Sequence, residues 1–223
     1  MQKARGVTLA GGLLAAGLAT AATNGFYVPS FRGTPGSSVA GWDQFTVGVG
    51  APGNRPDLAG STATPARLTQ FDPAGFVTGG GNIYNQPNAS VFSVTYNVGT
   101  PVDQVVFQTR SVGAELDYSS VQLSYAGGAA PLLGIRTELE RGPFVGQGPG
   151  AIVSSAWTWS LAGLGASDLT ISFRAAEPSL SFDSATLDVK TVPEPGTWAL
   201  LVTGMAVGWG LSRRRSSGAA FKA

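Results

Sequence analysis

The chain has no cysteine and no histidine, and only 12% of its 223 residues are charged. The two missing residue types exclude disulfide scaffolds, thiolate and imidazole metal sites, thiol nucleophiles and Ser-His-Asp triads. The charged fraction is about half the ~25% usual for soluble proteins, and a net charge of +1 gives no basis for a nucleic-acid surface. The whole chain is 43% hydrophobic, which is enough for a core, and it contains 32 glycines and 14 prolines.

The first 22 residues have the pattern of a secretory signal peptide. Lys3 and Arg5 form a basic start, an apolar stretch runs from Gly6 to Leu18, and Ala19-Thr20-Ala21 is a small-residue cleavage site. The apolar stretch is too short for a membrane span, which needs ~20 residues. We therefore expect residues 1–22 to be removed and the rest of the chain to be exported.

The C-terminus has three ordered parts. Pro193-Glu194-Pro195 comes first, an uncharged run extends from Trp198 to Leu211, and Arg213, Arg214 and Arg215 end it. The prolines favour an extended segment, because each lacks an N–H and restricts the residue before it. The arginines favour a cytoplasmic end for a short transmembrane helix of about 24 Å. The predicted divisions of the chain are a signal peptide at 1–22, an ectodomain at 23–191, a sorting segment at 192–215 and a cytoplasmic tail at 216–223.

This tail resembles the PEP-CTERM sorting signal of Gram-negative bacteria. The resemblance rests on Pro193, Glu194 and Pro195, on the apolar run, and on Arg213 to Arg215, and it covers only about residues 192–215. It implies that an exosortase, a membrane protease, recognises the motif and removes or replaces the tail. It also implies a bacterium that makes exopolysaccharide and biofilm, with the protein anchored transiently in the inner membrane and then released to the cell surface or secreted.

The middle of the chain has the alternation of a β protein. Apolar and polar residues alternate with period two in several runs that Gly- and Pro-rich turns separate, and no long window has helical periodicity. The predicted strands are 45–49, 92–98, 102–109, 121–125, 135–140, 169–174 and 184–189. One apolar face per strand predicts an all-β, antiparallel β-sandwich, jelly-roll-like, of eight to eleven strands.

The same alternation predicts which side chains are buried. They are Phe92, Val94, Tyr96, Leu169, Ile171, Phe173, Leu187 and Val189. Residues 50–66 are predicted to be a long surface loop, residues 24–40 a loose N-terminal arm, and Gly79 to Asn82 a turn rather than a phosphate-binding loop.

Several acidic residues are candidates for chemistry. Glu115 with Asp117, and Glu138 with Glu140, have the i, i+2 spacing that places two carboxylates on one face of a strand, as a glycosidase pair requires. No motif supports either pair, so no catalytic residue is predicted. Oxygen ligands for a structural Ca²⁺ are also present, without a recognised spacing, and no cofactor is expected otherwise. These candidate ligands are Asn82, Asn85, Asp117, Glu177, Asp183 and Asp188.

Trp157 and Trp159 lie two residues apart and share one face of a predicted strand. They are either core residues on an inner face, which the dominance of aromatics in cores favours, or an exposed platform for sugar rings. If both are buried, loop 50–66 and Tyr84 are the next candidates for a glycan site. The function expected is a non-catalytic structural or glycan-binding protein of the cell surface or matrix, and the alternative is a secreted carbohydrate-active enzyme.

Overall fold

The computed structural model describes residues 25–144 and 150–192, together with Met205. Within these residues the chain forms twelve β-strands in two antiparallel sheets and one 3₁₀ turn, Tyr118–Ser120. The strands are β1 (Ser37–Trp42), β2 (Arg67–Gln70), β3 (Phe76–Val77), β4 (Ile83–Asn85), β5 (Val91–Asn97), β6 (Val102–Gly113), β7 (Gln122–Tyr125), β8 (Leu132–Leu133), β9 (Ile135–Pro143), β10 (Ala151–Ser160), β11 (Asp168–Arg174) and β12 (Leu180–Thr191).

The larger sheet has the order β3-β4-β12-β6-β10-β9, and β1 pairs with β12 beside β4. The smaller sheet has the order β2-β5-β11-β7-β8. The long strand β12 therefore has β6 along one side and both β1 and β4 along the other. The all-β, antiparallel class is as predicted, and the jelly-roll connectivity stays a prediction.

Both sheets contribute side chains to a single core. Phe92 and Phe173 of the smaller sheet stack at 5.0 Å between ring centroids, and Phe173 lies 5.3 Å from Phe107 and 5.5 Å from Phe182 of the larger sheet. All eight side chains that the alternation predicted to be buried are buried, with Tyr96 the most exposed of them at 9%. The register read from the sequence is therefore confirmed for β5, β11 and β12.

The predicted strand at 45–49 is wrong. Its backbone groups bind a side chain instead of a neighbouring strand, since the N–H groups of Thr46 and Val47 both donate to Asn54 Oδ1 at 2.8 Å. Asn54 Nδ2 donates in return to the carbonyl of Val47 at 2.8 Å. A buried Asn thus satisfies an irregular segment that has the alternation of a strand.

Strand β9 forms where predicted, but the faces of its first residues are reversed, whereas Leu139 is half-buried between the exposed Glu138 and Glu140. Ile135 is 77% exposed, whereas Arg136 lies opposite the core residue Trp157 and places its guanidinium 3.5 Å from the ring centre of Tyr118. β9 is the last strand of its sheet, and its register with β10 shifts between Ser154 and Ser155. An edge strand of this kind can turn a charged side chain inward, because partners at the rim satisfy the charge.

The N-terminal segment is not a loose arm. Phe26 is 2% exposed, and Tyr27 exchanges two backbone hydrogen bonds of 3.0 Å with the side chain of Gln108. Arg32 donates to both carboxylate oxygens of Asp188 at 2.5 and 2.7 Å. Residues 25–36, which we call the N-terminal strap, therefore cover the outer face of the larger sheet. The prediction missed this because a buried charged pair leaves no apolar pattern.

The long loop at 50–66 is irregular, as predicted, but it is packed. Ala63 and Ala66 are fully buried, and Asn54 makes an isolated bridge with Leu68 of β2. The turn at 79–82 also forms where predicted, with Gly81 at φ +87° donating its N–H to the carbonyl of Thr78 at 3.0 Å.

The predicted signal peptide, the sorting residues and the apolar helix lie outside the described residues, apart from Met205, which is helical and exposed. In the part of the chain that the structure describes, no helix is long and apolar enough to cross a membrane.

Candidate binding groove

A groove of about 760 Å³ opens where β4, β6 and β12 come together at one end of the larger sheet. Its wall includes Tyr84 and Phe144 and the polar side chains of Gln86, Glu177 and Ser181. The volume lies within the range of ligand-binding clefts, ~300–1,000 Å³. A few polar groups beside aromatic rings are also the usual lining of such a cleft.

Strand pairing assembles this groove from distant parts of the chain. Tyr84 on β4 lies directly opposite Ser181 on β12, and Ser181 lies opposite Val112 on β6. The turn before β12 is fixed because the N–H of Ser179 donates to the carbonyl of Asn85 at 2.8 Å. Ser179 has a φ of +70°, the one non-glycine residue with positive φ among the described residues. Such a conformation is costly for a residue with a Cβ and is found preferentially at functional sites.

Aromatic rings form the apolar part of this site. Tyr84 packs edge-on against Phe76, with 5.7 Å between ring centroids and 83° between ring planes. Phe76 is 51% exposed, which is unusual for so large an apolar side chain. Phe76 packs against the Tyr84 ring, and Tyr84 lines the groove.

Polar side chains hold the floor of the groove. Asn82 Nδ2 donates to Ser181 Oγ and to Asp183 Oδ1, both at 3.1 Å. Asp183 also accepts from Arg110 at 3.4 Å. Among the described residues, Glu177 is the one charged side chain in the lining, and it is exposed and has no ion pair there. The groove is therefore polar and aromatic, with one negative charge at its rim.

Burial decides between the two interpretations of Trp157 and Trp159 in favour of the core. Trp157 is 1% exposed and Trp159 is 3% exposed. Trp159 Nε1 donates to the carbonyl of Leu132 at 3.0 Å, and Trp157 packs 6.3 Å from both Phe107 and Tyr118. Both rings belong to the core, so neither presents a face to a sugar. Tyr84, the next candidate from the sequence, is the one in a groove.

The first carboxylate pair is divided between two ion pairs. Arg141 donates to both carboxylate oxygens of Glu115 at 2.6 and 2.9 Å, and these bonds lower the pKa of Glu115 to about 2. The Tyr118 hydroxyl also donates to Glu115. Burial, which is the larger cause, and this hydrogen bond together raise the pKa of Tyr118 to about 12. Asp117 pairs instead with Arg174 at 2.8 Å, and hydrogen bonds from Ser119 and Arg174 lower its pKa.

The second carboxylate pair is separated by the irregularity in β9. Glu138 lies opposite Ser155 and Glu140 lies opposite Ser154, on the two sides of the register shift. Arg141 and Arg136 donate to Glu138 and lower its pKa. A general acid needs a raised pKa, so these arginine contacts oppose that role.

Three of the candidate calcium ligands are held in ion pairs with arginines, and Asn82 contacts one of these three, Asp183. Asp188 is engaged by Arg32, Asp117 by Arg174 and Asp183 by Arg110. Within residues 25–144 and 150–192 there is no group of three or more acidic side chains placed to hold a metal ion.

A second, smaller cavity of about 370 Å³ lies on the five-stranded sheet. Its wall includes Val91, Gln122 and Ser172, and the ion pair between Asp117 and Arg174 borders it. It is shallow and half as large as the groove, and it lies near the same end of the domain. Ala175 and Leu116 form the bridge that joins this end of β11 to the segment after β6.

Comparison with known proteins identifies the C-terminal segment. Residues 191–215 match the family described as the PEP-CTERM protein-sorting motif. The chain carries a PEP-CTERM sorting motif. This confirms the resemblance based on Pro193 to Pro195 and Arg213 to Arg215, and it indicates an exported protein that an exosortase sorts at the membrane. No curated protein and no solved structure matches the chain.

Most residues of the groove could not be predicted from the sequence. Gln86, Phe144 and Ser181 belong to no motif. The pairing of β12 with β4 and β6 brings Ser181 to the groove, and the pairing of β9 with β10 and of β10 with β6 brings Phe144 there. Glu177 was singled out as an oxygen ligand, but its position on the rim depends on the turn at Ser179. The signal that the sequence did offer was Tyr84, an aromatic residue directly after a glycine-rich turn.

Proposed function

We propose that this PEP-CTERM protein is a non-catalytic surface or matrix protein whose β domain binds a neutral glycan in the groove beside Tyr84. The observation that carries the proposal is the aromatic wall of Tyr84 and Phe144 beside the hydroxyl and amide groups of Ser181 and Gln86. Sugar rings offer apolar faces for stacking and hydroxyls for hydrogen bonds, so this combination suits them.

The charge of the groove favours a neutral ligand. The ectodomain has eight basic and twelve acidic residues between 24 and 190, a net charge of −4. Glu177 is the one charged group that lines the groove in the described part of the chain. A polyanion would meet repulsion there, whereas a neutral polysaccharide would meet none.

A catalytic function is not proposed. Each carboxylate pair suggested by the sequence is divided by arginine contacts or by the irregularity in β9, and Glu177 has no second carboxylate in the groove among the described residues. A glycosidase of the usual kind needs two carboxyl groups across the scissile bond.

Affinity electrophoresis tests the proposal. The purified domain is run in gels that contain a neutral glucan, an anionic polyuronate, or the exopolysaccharide of the source organism. We expect a neutral polysaccharide to retard it equally at low and high salt, because stacking is not screened. Tyr84→Ala should abolish the retardation, and Tyr84→Phe, which keeps the ring, should retain most of it.

Two outcomes would count against glycan binding in the groove. The first is no retardation in any of the three gels, which would leave a packing or scaffold role. The second is retardation that survives Tyr84→Ala, which would place the site elsewhere. Glu177→Gln is the charge control, and we expect it to leave binding of the neutral polysaccharide within about twofold.

A further inference from the structure

The sorting motif begins at the very end of the folded domain. Thr191 is the last residue of β12 and the first residue of the motif. Its N–H donates to the carbonyl of Gly36, and the N–H of the next residue, Val192, donates to the carbonyl of Pro101 at 2.9 Å. The chain is thus bonded to the fold up to the residue before Pro193, and no spacer separates the domain from the sorting signal.

The N-terminal strap forms hydrogen bonds with the last residues of β12, and the loop before β6 forms one with Val192. Lys190 Nζ donates to Thr34 Oγ1 at 2.9 Å and to the carbonyl of Pro35 at 2.7 Å. Thr191 pairs with Val102, the first residue of β6. We call this end of the domain the anchor end. Ala166 accepts from the N–H of Val102, and this bond brings the loop before β11 to the same end.

Both cavities lie at the opposite end of the domain. The groove is lined by Ser179 and Ser181, at the start of β12. From Leu180 to Thr191 the strand takes eleven steps of ~3.3 Å, which is about 36 Å. The smaller cavity is lined by Arg174, the last residue of β11, whose first residue lies beside the anchor end.

We infer that the membrane-held chain stands with its anchor end toward the bilayer and presents both cavities at its outward tip. Five residues, 193–197, lie between the fold and the uncharged run, and they reach at most about 18 Å even when fully extended. Because β12 ends at the anchor end and the prolines that follow favour an extended continuation, we expect the 36 Å of β12 to be directed away from the membrane.

This orientation makes ligand binding independent of processing. The groove is open while the tail is still in the membrane, and removal of the tail changes nothing near it. The inference rests on the position of the motif and on the fold, and it holds whatever the groove binds. Its failure is therefore distinguishable from failure of the glycan proposal.

Single-cysteine labelling tests the orientation, since the chain has no cysteine of its own. Ala162→Cys places a fluorophore in an exposed loop at the anchor end, next to Leu161, whose N–H donates to the carbonyl of Asp103. Ala176→Cys places the same fluorophore beside the groove, and Thr95→Cys places it on the exposed face of β5. All three positions are exposed and the two alanine variants are matched in size.

The chain is purified from the membranes of a host that lacks an exosortase and reconstituted in vesicles whose lipids carry a short-range quencher on the headgroup. We expect quenching at Ala162 to exceed quenching at Ala176 at least fivefold, with Thr95 between them. Equal quenching at the three positions, which a domain lying on its side would give, would overturn the inference. Failure of the chain to float with the vesicles would overturn it as well, because no anchor would then exist.

Discussion

The ion pair between Arg32 and Asp188 should be the interaction on which the N-terminal strap depends. Asp188 is fully buried, and its two carboxylate oxygens accept from Arg32 at 2.5 and 2.7 Å. The Arg32 side chain is 24% exposed. Replacing Arg32 by Ala would leave a carboxylate inside the protein without its cation.

The expected cost is large. Removing one partner of a buried ion pair typically destabilises a protein by about 3–5 kcal/mol, because the remaining charge is neither solvated nor paired. For a domain of this size, each kcal/mol lowers the melting temperature by roughly 2–4 °C. Arg32→Ala should therefore lower the melting temperature by roughly 6–20 °C at pH 7.

The pH dependence gives a second measurement. Burial raises the pKa of Asp188, and the hydrogen bonds and charge of Arg32 oppose this rise. Without Arg32 the pKa of Asp188 should rise further. A carboxyl whose folded pKa lies above its unfolded value loses stability as the pH rises through the folded pKa. The stability that Arg32→Ala loses relative to wild type should thus be largest at neutral pH and should shrink toward pH ~4.

Thermal and urea unfolding of four proteins tests this reasoning. They are wild type, Arg32→Ala, Arg32→Ala with Asp188→Asn, and Arg174→Ala. The Asp188→Asn change removes the buried charge, so it should restore part of the stability that Arg32→Ala loses and abolish the pH dependence of the deficit. Arg174 pairs with Asp117 at the surface, so its loss should hardly change the melting temperature. A shift as small for Arg32→Ala as for Arg174→Ala would refute the reasoning.

Three further changes, one of them with a control variant, have expected outcomes. Phe173→Ala removes a 2%-exposed ring from contact with three other rings, so it should lower the free energy of unfolding by about 3–5 kcal/mol, measured by urea unfolding. The control Phe71→Ala, at a 54%-exposed position, should hardly change the free energy of unfolding. The pKa of Glu115 is lowered to about 2, so its ionised form stabilises the fold above pH ~4.5 and this stabilisation is lost as the pH falls toward 2. Glu115→Gln should therefore flatten the dependence of the melting temperature on pH between these two values. Changing Pro193 and Pro195 to Ala should leave an unprocessed, membrane-held precursor in a host with an exosortase, and an unaltered mature C-terminus by mass spectrometry would contradict this.

The core was predictable because burial on one face of a strand leaves a period of two in the sequence. Phe92, Phe173 and Leu187 follow that period, and each points inward as expected. The same rule failed at 45–49, where Asn54 rather than a neighbouring strand binds the backbone. Alternation reports which side chains are apolar, and it does not report where the hydrogen bonds of the backbone go.

The reversal at the start of β9 and the strap share another cause. In both places a charged side chain turns toward the protein and is satisfied by a partner far along the chain, as Arg32 is by Asp188 and Arg136 is by the ring of Tyr118. A pattern of hydrophobicity assigns such residues to the solvent. The groove was hidden for a related reason, since its walls come together only through the pairing of β12 with β4 and β6 and of β10 with β6 and β9.

The placement of the basic residues bears on what this surface can bind. Five arginines of the domain are held in ion pairs with acidic side chains. They are Arg32, Arg110, Arg136, Arg141 and Arg174. Lys190 is likewise held by the strap. The five arginines are already paired with acidic side chains, so they add little attraction for a polyanion. Affinity for an extracellular polymer would then come from ring stacking and hydrogen bonds, which the groove beside Tyr84 offers and which salt does not screen.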